Sequence, residues 1–259
     1  MKVCNLSSGS DGNATYIESS TTKILVDAGL SCKELENRLA LLGASGHDIS
    51  AILITHEHTD HIKGVDVFAN RYNTKVFVHK AGFAPLLRKL RKPLDIITFD
   101  DNPFMIADLK ILPVEVPHDV ERCTGYVIEE NKKKISIFTD LGYTTPEILQ
   151  NLYGSHLVFL EANHDPDTLK ANPRYPIYLK NRILGNQGHL SNLACANAIL
   201  ELAKNGCKQF VLSHLSTENN SPSLAYDFIT SILCDNGIVE GRHIRIDIAS
   251  TRPKNVFWI

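Results

Sequence analysis

Short apolar runs separated by polar turns alternate along this chain with segments of helical spacing. Val3–Leu6 and Thr15–Glu18 flank the Ser/Gly/Asp/Asn cluster Ser7–Asn13, which predicts a hairpin around a loop. Lys23–Asp27 predicts another strand, closed by Ala28-Gly29, and Lys33–Leu42 has helical spacing that stops at Gly43. A strand over 51–55, a helix over Gly64–Arg71, a strand at Lys75–His79 and a helix at Phe83–Leu90 follow. From Leu94 the pattern returns to strands: Ile96–Phe99, Phe104–Ile106, Leu109–Pro117, Gly125–Glu129 and Ile135–Thr139. The remainder predicts helix Pro146–Tyr153, strand His156–Leu160, helix Leu193–Lys204, strand Gln209–Leu212, helix Leu224–Asn236 and strand Ile244–Ile248. Asp165–Gln187 shows no periodicity and reads as a long irregular segment, the kind that acts as a lid or binding loop.

A β-rich half, helices, a second β-rich half and helices again, with no low-complexity linker and no short-period repeat, predict an α/β protein. Two sheets packed face to face with helices outside satisfy that order in a single domain over residues 1–259.

Composition narrows the function classes. The net charge of −2 excludes a protein that holds nucleic acid through overall basicity, so such a role must use local patches. The six cysteines form no C-x-x-C pair and read as buried reduced thiols of a reducing, cytoplasmic compartment. No apolar leader core opens the sequence and no stretch suits a membrane span, so a cytoplasmic protein is expected.

The candidate chemistry centres on Thr55-His56-Glu57-His58-Thr59-Asp60-His61, directly after the apolar run Ala51–Ile54. Neutral imidazole is the commonest transition-metal ligand and Asp adds a harder oxygen donor. A turn at the C-terminal end of a buried strand directs such side chains to one point outside the sheet. His56 and His58 alternate and face one way in an extended segment, whereas Asp60 and His61 come after a change of direction, which favours two ions over one. Two ions about 3.5–4 Å apart can share a hydroxide and stabilise both oxygens of a displacement. Further ligands are then needed at strand ends, and His118, Asp140 and His214 each follow an apolar strand. The assignment is that His56, His58 and His118 hold one divalent ion, Asp60, His61 and His214 hold the other, and Asp140 bridges them. Zinc, manganese and iron all suit this ligand set.

T-H-E-H-T-D-H at 55–61, V-P-H at 116–118, F-T-D at 138–140 and L-S-H at 212–214 stand in the order of the metallo-β-lactamase superfamily, which the chain resembles over nearly its whole length. The resemblance implies a four-layered αββα sandwich with the site at one edge of both sheets, and a supporting role for Asp27 beneath the histidine loop. Gly188-His189-Leu190-Ser191 and Leu160-Glu161-Ala162-Asn163-His164 resemble elements of its phosphodiesterase branches. There His189 would protonate the leaving alkoxide and Glu161 would hold it, a contribution of roughly 10²–10⁴-fold. Asp60, His189 and Glu161 are therefore the candidate catalytic residues. His164, Arg174, Lys180 and Arg182, with Tyr175, are the candidates for phosphate clamping and base stacking. A second basic run, Arg88, Lys89, Arg91 and Lys92, reads as a solvated helix face.

S-S-G-S-D-G-N at 7–13, E-A-N-H-D at 161–165, the stretch 174–192 and L-S-H-L-S-T-E-N-N at 212–220 are similar to the YycJ/WalJ-type branch of bacterial proteins. That branch implies a cytosolic dinuclear exonuclease on single-stranded DNA with a link to DNA repair, its nucleophile a metal-bridging hydroxide. The long insertion of the RNA-processing β-CASP nucleases is absent between Asp140 and His214. Hydrolysis of a small phosphodiester, thioester or lactam uses the same metal core and is the alternative. A di-iron electron carrier would want extra carboxylate ligands and a flavin domain, which the chain lacks.

Overall fold

The computed structural model describes all of residues 1–259. Its strands are β1 (Lys2–Ser7), β2 (Ala14–Glu18), β3 (Lys23–Val26), β4 (Ile49–Leu53), β5 (Lys75–His79), β6 (Ile96–Phe99) and β7 (Phe104–Ile106), then β8 (Leu109–Val116), β9 (Cys123–Glu130), β10 (Lys133–Phe138), β11 (Leu157–Glu161), β12 (Gln209–Ser213), β13 (Arg245–Ile248) and β14 (Val256–Trp258). Its α-helices are α1 (Cys32–Leu41), α2 (Thr59–Ile62), α3 (Val65–Tyr72), α4 (Lys80–Lys89), α5 (Pro146–Leu152), α6 (Pro166–Ala171), α7 (Ile177–Leu184), α8 (Asn192–Lys204) and α9 (Pro222–Asp235). The strands make two mixed sheets of seven. The chain divides into two compact units, one of Met1–Pro113, Val120–Lys133 and Ala249–Ile259, the other of Val114–Asp119 and Lys134–Ile248.

The first unit holds a complete sheet in the order β14-β1-β2-β3-β4-β5-β6, antiparallel from β14 to β3 and parallel from β3 to β6. Strands β1 to β5 of this sheet are buried on both faces along most of their length, which is why they read as nearly continuous apolar runs. Tyr16, Leu25, Ile52, Val76 and Val78 form one core with Leu35 and Leu39 of α1, Phe68 of α3 and Leu86 of α4. Their alternates Ile17, Ile24, Ala51 and Leu53 are buried as well. Ser31 caps α1 by accepting from the Glu34 amide, which fixes where the chain leaves the sheet edge and turns helical.

The second unit is built on the parallel run β10-β11-β12-β13. Three of its helices start on hydroxyl caps: Thr145 before Pro146, Ser191 before Asn192, and Ser221 before Pro222, each accepting from the third residue on. Parallel pairing puts Phe138 level with Leu160, and Leu160 level with Leu212. The three strands therefore end together, and the residues that follow share one edge.

One expectation needs correction, and one strand lies outside the predicted elements. Asp165–Gln187 is not irregular, because α6 and α7 occupy much of it. Asp165 caps α6 with Pro166 behind it, but α7 buries no residue, so no apolar stripe marks it in the sequence. The C-terminal strand β14 has no counterpart among the predicted strands. It is three residues long, exposes Trp258 and Val256, and exists through its pairing with β1. The histidine loop itself contains the short helix α2.

Candidate functional site

In the first unit the histidine loop leaves β4 and is laced onto two distant segments. The Asp60 carbonyl accepts from the Asn13 amide (2.7 Å), the His61 carbonyl from the Ala28 amide (2.9 Å), and Gly29 donates to the Asn13 carbonyl (2.8 Å). The approach is so close at Gly29 that a Cβ there would lie 1.6 Å from the Asp60 carbonyl oxygen. Asp27 follows β3 with φ of 60°, a left-handed conformation that a residue with a Cβ holds only at a cost of about 1–3 kcal/mol.

That conformation turns the Asp27 carboxylate under the loop. Oδ1 accepts from the Thr55 amide (2.9 Å), and Oδ2 accepts from the Thr55 hydroxyl (2.8 Å) and from His61 Nδ1 (2.7 Å). Burial raises the Asp27 carboxyl above its usual range, while these donors act in the opposite direction. With Nδ1 of His61 occupied, its Nε2 faces the Asn13 amide nitrogen at 3.0 Å and Asp60 Oδ2 at 3.4 Å. The His56 ring lies tilted by 45° against this ring, with centroids 4.2 Å apart, and meets the His58 ring edge-on at 4.6 Å. The four motif residues thus converge within one unit. Thr55 Oγ1 and Cys123 Sγ lie 3.0 and 3.7 Å from His56 Nδ1. Cys123 is buried against the histidine loop. The other cysteines are free and buried, except Cys234, which is exposed.

In the second unit Asp140, Glu161 and His214 stand at or just beyond the ends of β10, β11 and β12. Asp140 and His214 have φ of 57° and 54°, the same strained left-handed backbone as Asp27. Glu161 is completely buried and takes four donors. Oε1 lies 2.8 Å from His189 Nδ1 and 2.9 Å from His214 Nδ1, and Oε2 accepts from the amides of Leu141 (2.9 Å) and Leu190 (3.1 Å). Burial opposes its charge, but His189 and His214 outweigh that and hold the carboxyl well below its usual range. Burial likewise pulls the His189 pKa down, and Glu161 with Asp140 more than offsets it, so the imidazole titrates above its ordinary value.

Asp140 Oδ1 lies 3.7 Å from His189 Nδ1, 3.5 Å from His214 Nδ1 and 3.9 Å from His118 Nε2. His118 is oriented by Nδ1 against the Gly188 carbonyl (3.1 Å), with Asp119 Oδ1 3.3 Å from its Nε2. The Gly188-His189 segment packs so tightly on the end of α7 that a Cβ at Gly188 would meet the Ile183 carbonyl at 2.2 Å. Asp140, Glu161, His189 and His214 offer ligand atoms that all lie within 4.8 Å of one another.

The residues proposed for substrate are placed differently. Arg182 binds Asp119 (2.5 Å), the residue beside His118. Arg174 pairs with Glu218 (2.7 Å), and Lys180 donates to the Lys170 carbonyl. His164 is 1% exposed, and burial drives its pKa down to about 4, with Glu161 resisting. Its carbonyl accepts from Asn192, and it is Asp165 that caps α6. Sequence reasoning missed Asn13, Asn163 and Asp119. Asn163 donates to the His214 carbonyl at 2.9 Å. None of these sits in a spacing that separates it from an ordinary loop amide or acid.

The donor set fits divalent cations. His61, His118 and His214 each engage Nδ1 with a carboxylate or carbonyl, the second-layer arrangement that sets the tautomer and orientation of a metal-ligating imidazole. Carboxylates of Asp60 and Asp140 stand beside them, giving mixed nitrogen and oxygen ligation.

Comparison with known proteins agrees with this architecture. The beta-lactamase superfamily domain matches residues 22–215. Exodeoxyribonuclease YycJ of Bacillus anthracis is 33% identical, over 96% of this chain and 94% of its own length. Exodeoxyribonuclease WalJ of Streptococcus pneumoniae serotype 2 is 36% identical, over 87% of this chain and 85% of its own. The metallo-beta-lactamase fold protein YhfI from Bacillus subtilis superposes with a TM-score of 0.75 at 15% identity, covering 99% of both chains. Two mixed sheets with helices, of the α/β class expected from the sequence, are thus shared with that fold. The chain belongs to the metallo-β-lactamase superfamily.

Proposed function

We propose that this protein is a divalent-metal-dependent phosphodiesterase that acts as an exonuclease on single-stranded DNA, with a role in DNA repair. The observation that carries the reading is the Glu161–His189 pair: a buried carboxylate 2.8 Å from an imidazole that is 21% exposed, next to Asp140 and His214. The names of the relatives, exodeoxyribonucleases, support a nucleic acid substrate.

His56, His58, Asp60, His61, His118, Asp140 and His214 are the proposed ligands of two cations, zinc, manganese or iron. Bound there, such ions supply Lewis acidity and acidify water enough for it to attack at neutral pH. The chain's own residues do the rest. Glu161 orients His189 and raises its affinity for a proton, and His189 in its protonated form gives that proton to the oxygen that departs from phosphorus. Breaking a P–O bond develops charge on that oxygen, so a positioned acid is worth roughly 10²–10⁴-fold. A lactam or thioester hydrolase has less need of this pair. Arg182, Arg174, Lys180 and Tyr175 offer donors and a ring for the strand.

Residues 1–259 are read as one domain, since the first unit takes its chain from three separate segments. The free cysteines suit a reducing cytoplasm. No helix is long and apolar enough to cross a membrane.

The test incubates end-labelled single- and double-stranded DNA and RNA with metal-reconstituted protein and reads product ladders from each end. Stepwise shortening of single-stranded DNA, cut by roughly 10²–10⁴-fold in His189→Ala, is expected. Turnover of a chromogenic lactam with no cleavage of DNA, RNA or bis-p-nitrophenyl phosphate would overturn the reading.

A further inference from the structure

A groove of about 180 Å³, with charged and apolar side chains in its lining, lies in the first unit between the histidine loop with α2 and the C-terminal end of α4. Thr59, Ile62 and Lys63 line it from α2 and its end, Lys89, Leu90 and Arg91 from the end of α4, and Asp66 from α3. Asp66 is the only acid in the lining, and it is 3% exposed. The Arg91 guanidinium grips both of its oxygens, at 3.1 and 3.2 Å, and the Arg91 amide adds a third bond at 3.3 Å. That pair consumes its own charge and leaves Lys63 and Lys89, both exposed and neither in an ion pair, to set the sign of the groove. Arg88 and Lys92 extend the positive charge, so 88–92 carries four cations and no acid in a chain of net charge −2.

We propose that this groove holds the sugar-phosphate backbone of the single strand that is being degraded, as a phosphate track leading to the histidine loop. The proposal rests on the nuclease reading and deepens it. Cations from two separate elements converge on one concavity, which an ordinary solvated helix face does not do. No aromatic side chain lines it, so it suits phosphate oxyanions rather than stacked bases, and the contact is independent of sequence. Thr59 stands in the chain between His58 and Asp60, so a strand seated here passes directly to the candidate ligands. Arg91 serves by fixing the α4 end and neutralising Asp66.

The experiment measures binding of a phosphorothioate oligothymidylate to the metal-loaded protein by fluorescence anisotropy across a salt series. Wild type is compared with Lys63→Ala/Lys89→Ala and with Lys33→Ala/Lys132→Ala, a pair of exposed lysines elsewhere in the same unit. Each phosphate contact on a single strand contributes about 0.7 to the slope of log affinity against log salt, so loss of both groove lysines should flatten the slope by about 1.4. Binding should weaken most at low salt, and the Lys33/Lys132 variant should follow wild type. An unchanged slope in the groove variant, or an equal loss in both variants, overturns the track. A wild-type protein that neither binds nor shortens any strand sinks the nuclease reading itself, a result distinct from either.

Discussion

Asp27 Oδ2 lies 2.7 Å from His61 Nδ1, although the two residues are 34 positions apart. The same carboxylate also receives the amide and hydroxyl of Thr55, so all three donors into the loop converge on one acceptor group. An amide in its place must turn an NH₂ group toward one of those donors. Asp27→Asn should therefore release the tautomer and orientation of His61 and weaken metal binding by roughly 10–100-fold. Competition against a chromogenic chelator measures this, and an unchanged affinity would remove Asp27 from the site.

Glu161 serves His189 and His214 with a single oxygen, so the three side chains act as a unit. Glu161→Gln should lower phosphodiester turnover nearly as far as His189→Ala does. Combining the two should cost little more than either alone, because groups that work as a unit are not additive. Steady-state kcat values for the two single variants and the double variant decide it. Additive losses would mean that Glu161 acts apart from His189.

Gly29 has no room for a side chain against the Asp60 carbonyl, 1.6 Å from where a Cβ would sit. Gly29→Ala must push the histidine loop away from Asn13 and Ala28. Overpacking of this kind costs about 1–3 kcal/mol, and here it should also deplete bound metal. Thermal melting and elemental analysis report the two effects separately. A variant with wild-type melting and full metal content would show that the loop yields freely.

Asp66 offers a pH-dependent effect on stability. Burial opposes its charge, but the Arg91 guanidinium and amide prevail and hold the carboxyl below its ordinary value. A carboxyl with a depressed folded-state pKa contributes stability that is fully present above the unfolded value of about 3.9 and is lost as pH falls through the folded value. Asp66→Asn should therefore melt below wild type at neutral pH, and the gap should close in strong acid. Melting curves taken from pH 7 downward test this, and a gap that is constant with pH would place the Asn effect in packing instead.

Local pattern was enough to find most elements and the first half of the site. The apolar runs at Lys23–Asp27 and Ala51–Ile54 are strands because both of their faces are buried, and such burial leaves a continuous mark in one dimension. The histidine loop stands out because four donors sit within six residues, and His118, Asp140 and His214 because each follows a strand. Helix α7 left no such mark, since it buries nothing, and β14 is too short to be read without β1 beside it.

The convergence of Asn13, Gly29 and Asp60, and the sharing of Glu161 between His189 and His214, depend on hydrogen bonds between segments far apart in the chain. So does the strained backbone of Asp27, Asp140 and His214, which an aspartate or histidine adopts only when its surroundings hold it there. Periodicity and spacing record which side chains a segment carries and which way they alternate. They carry no information on partners brought close by folding, and those partners set the tautomers, charges and aim of the candidate ligands.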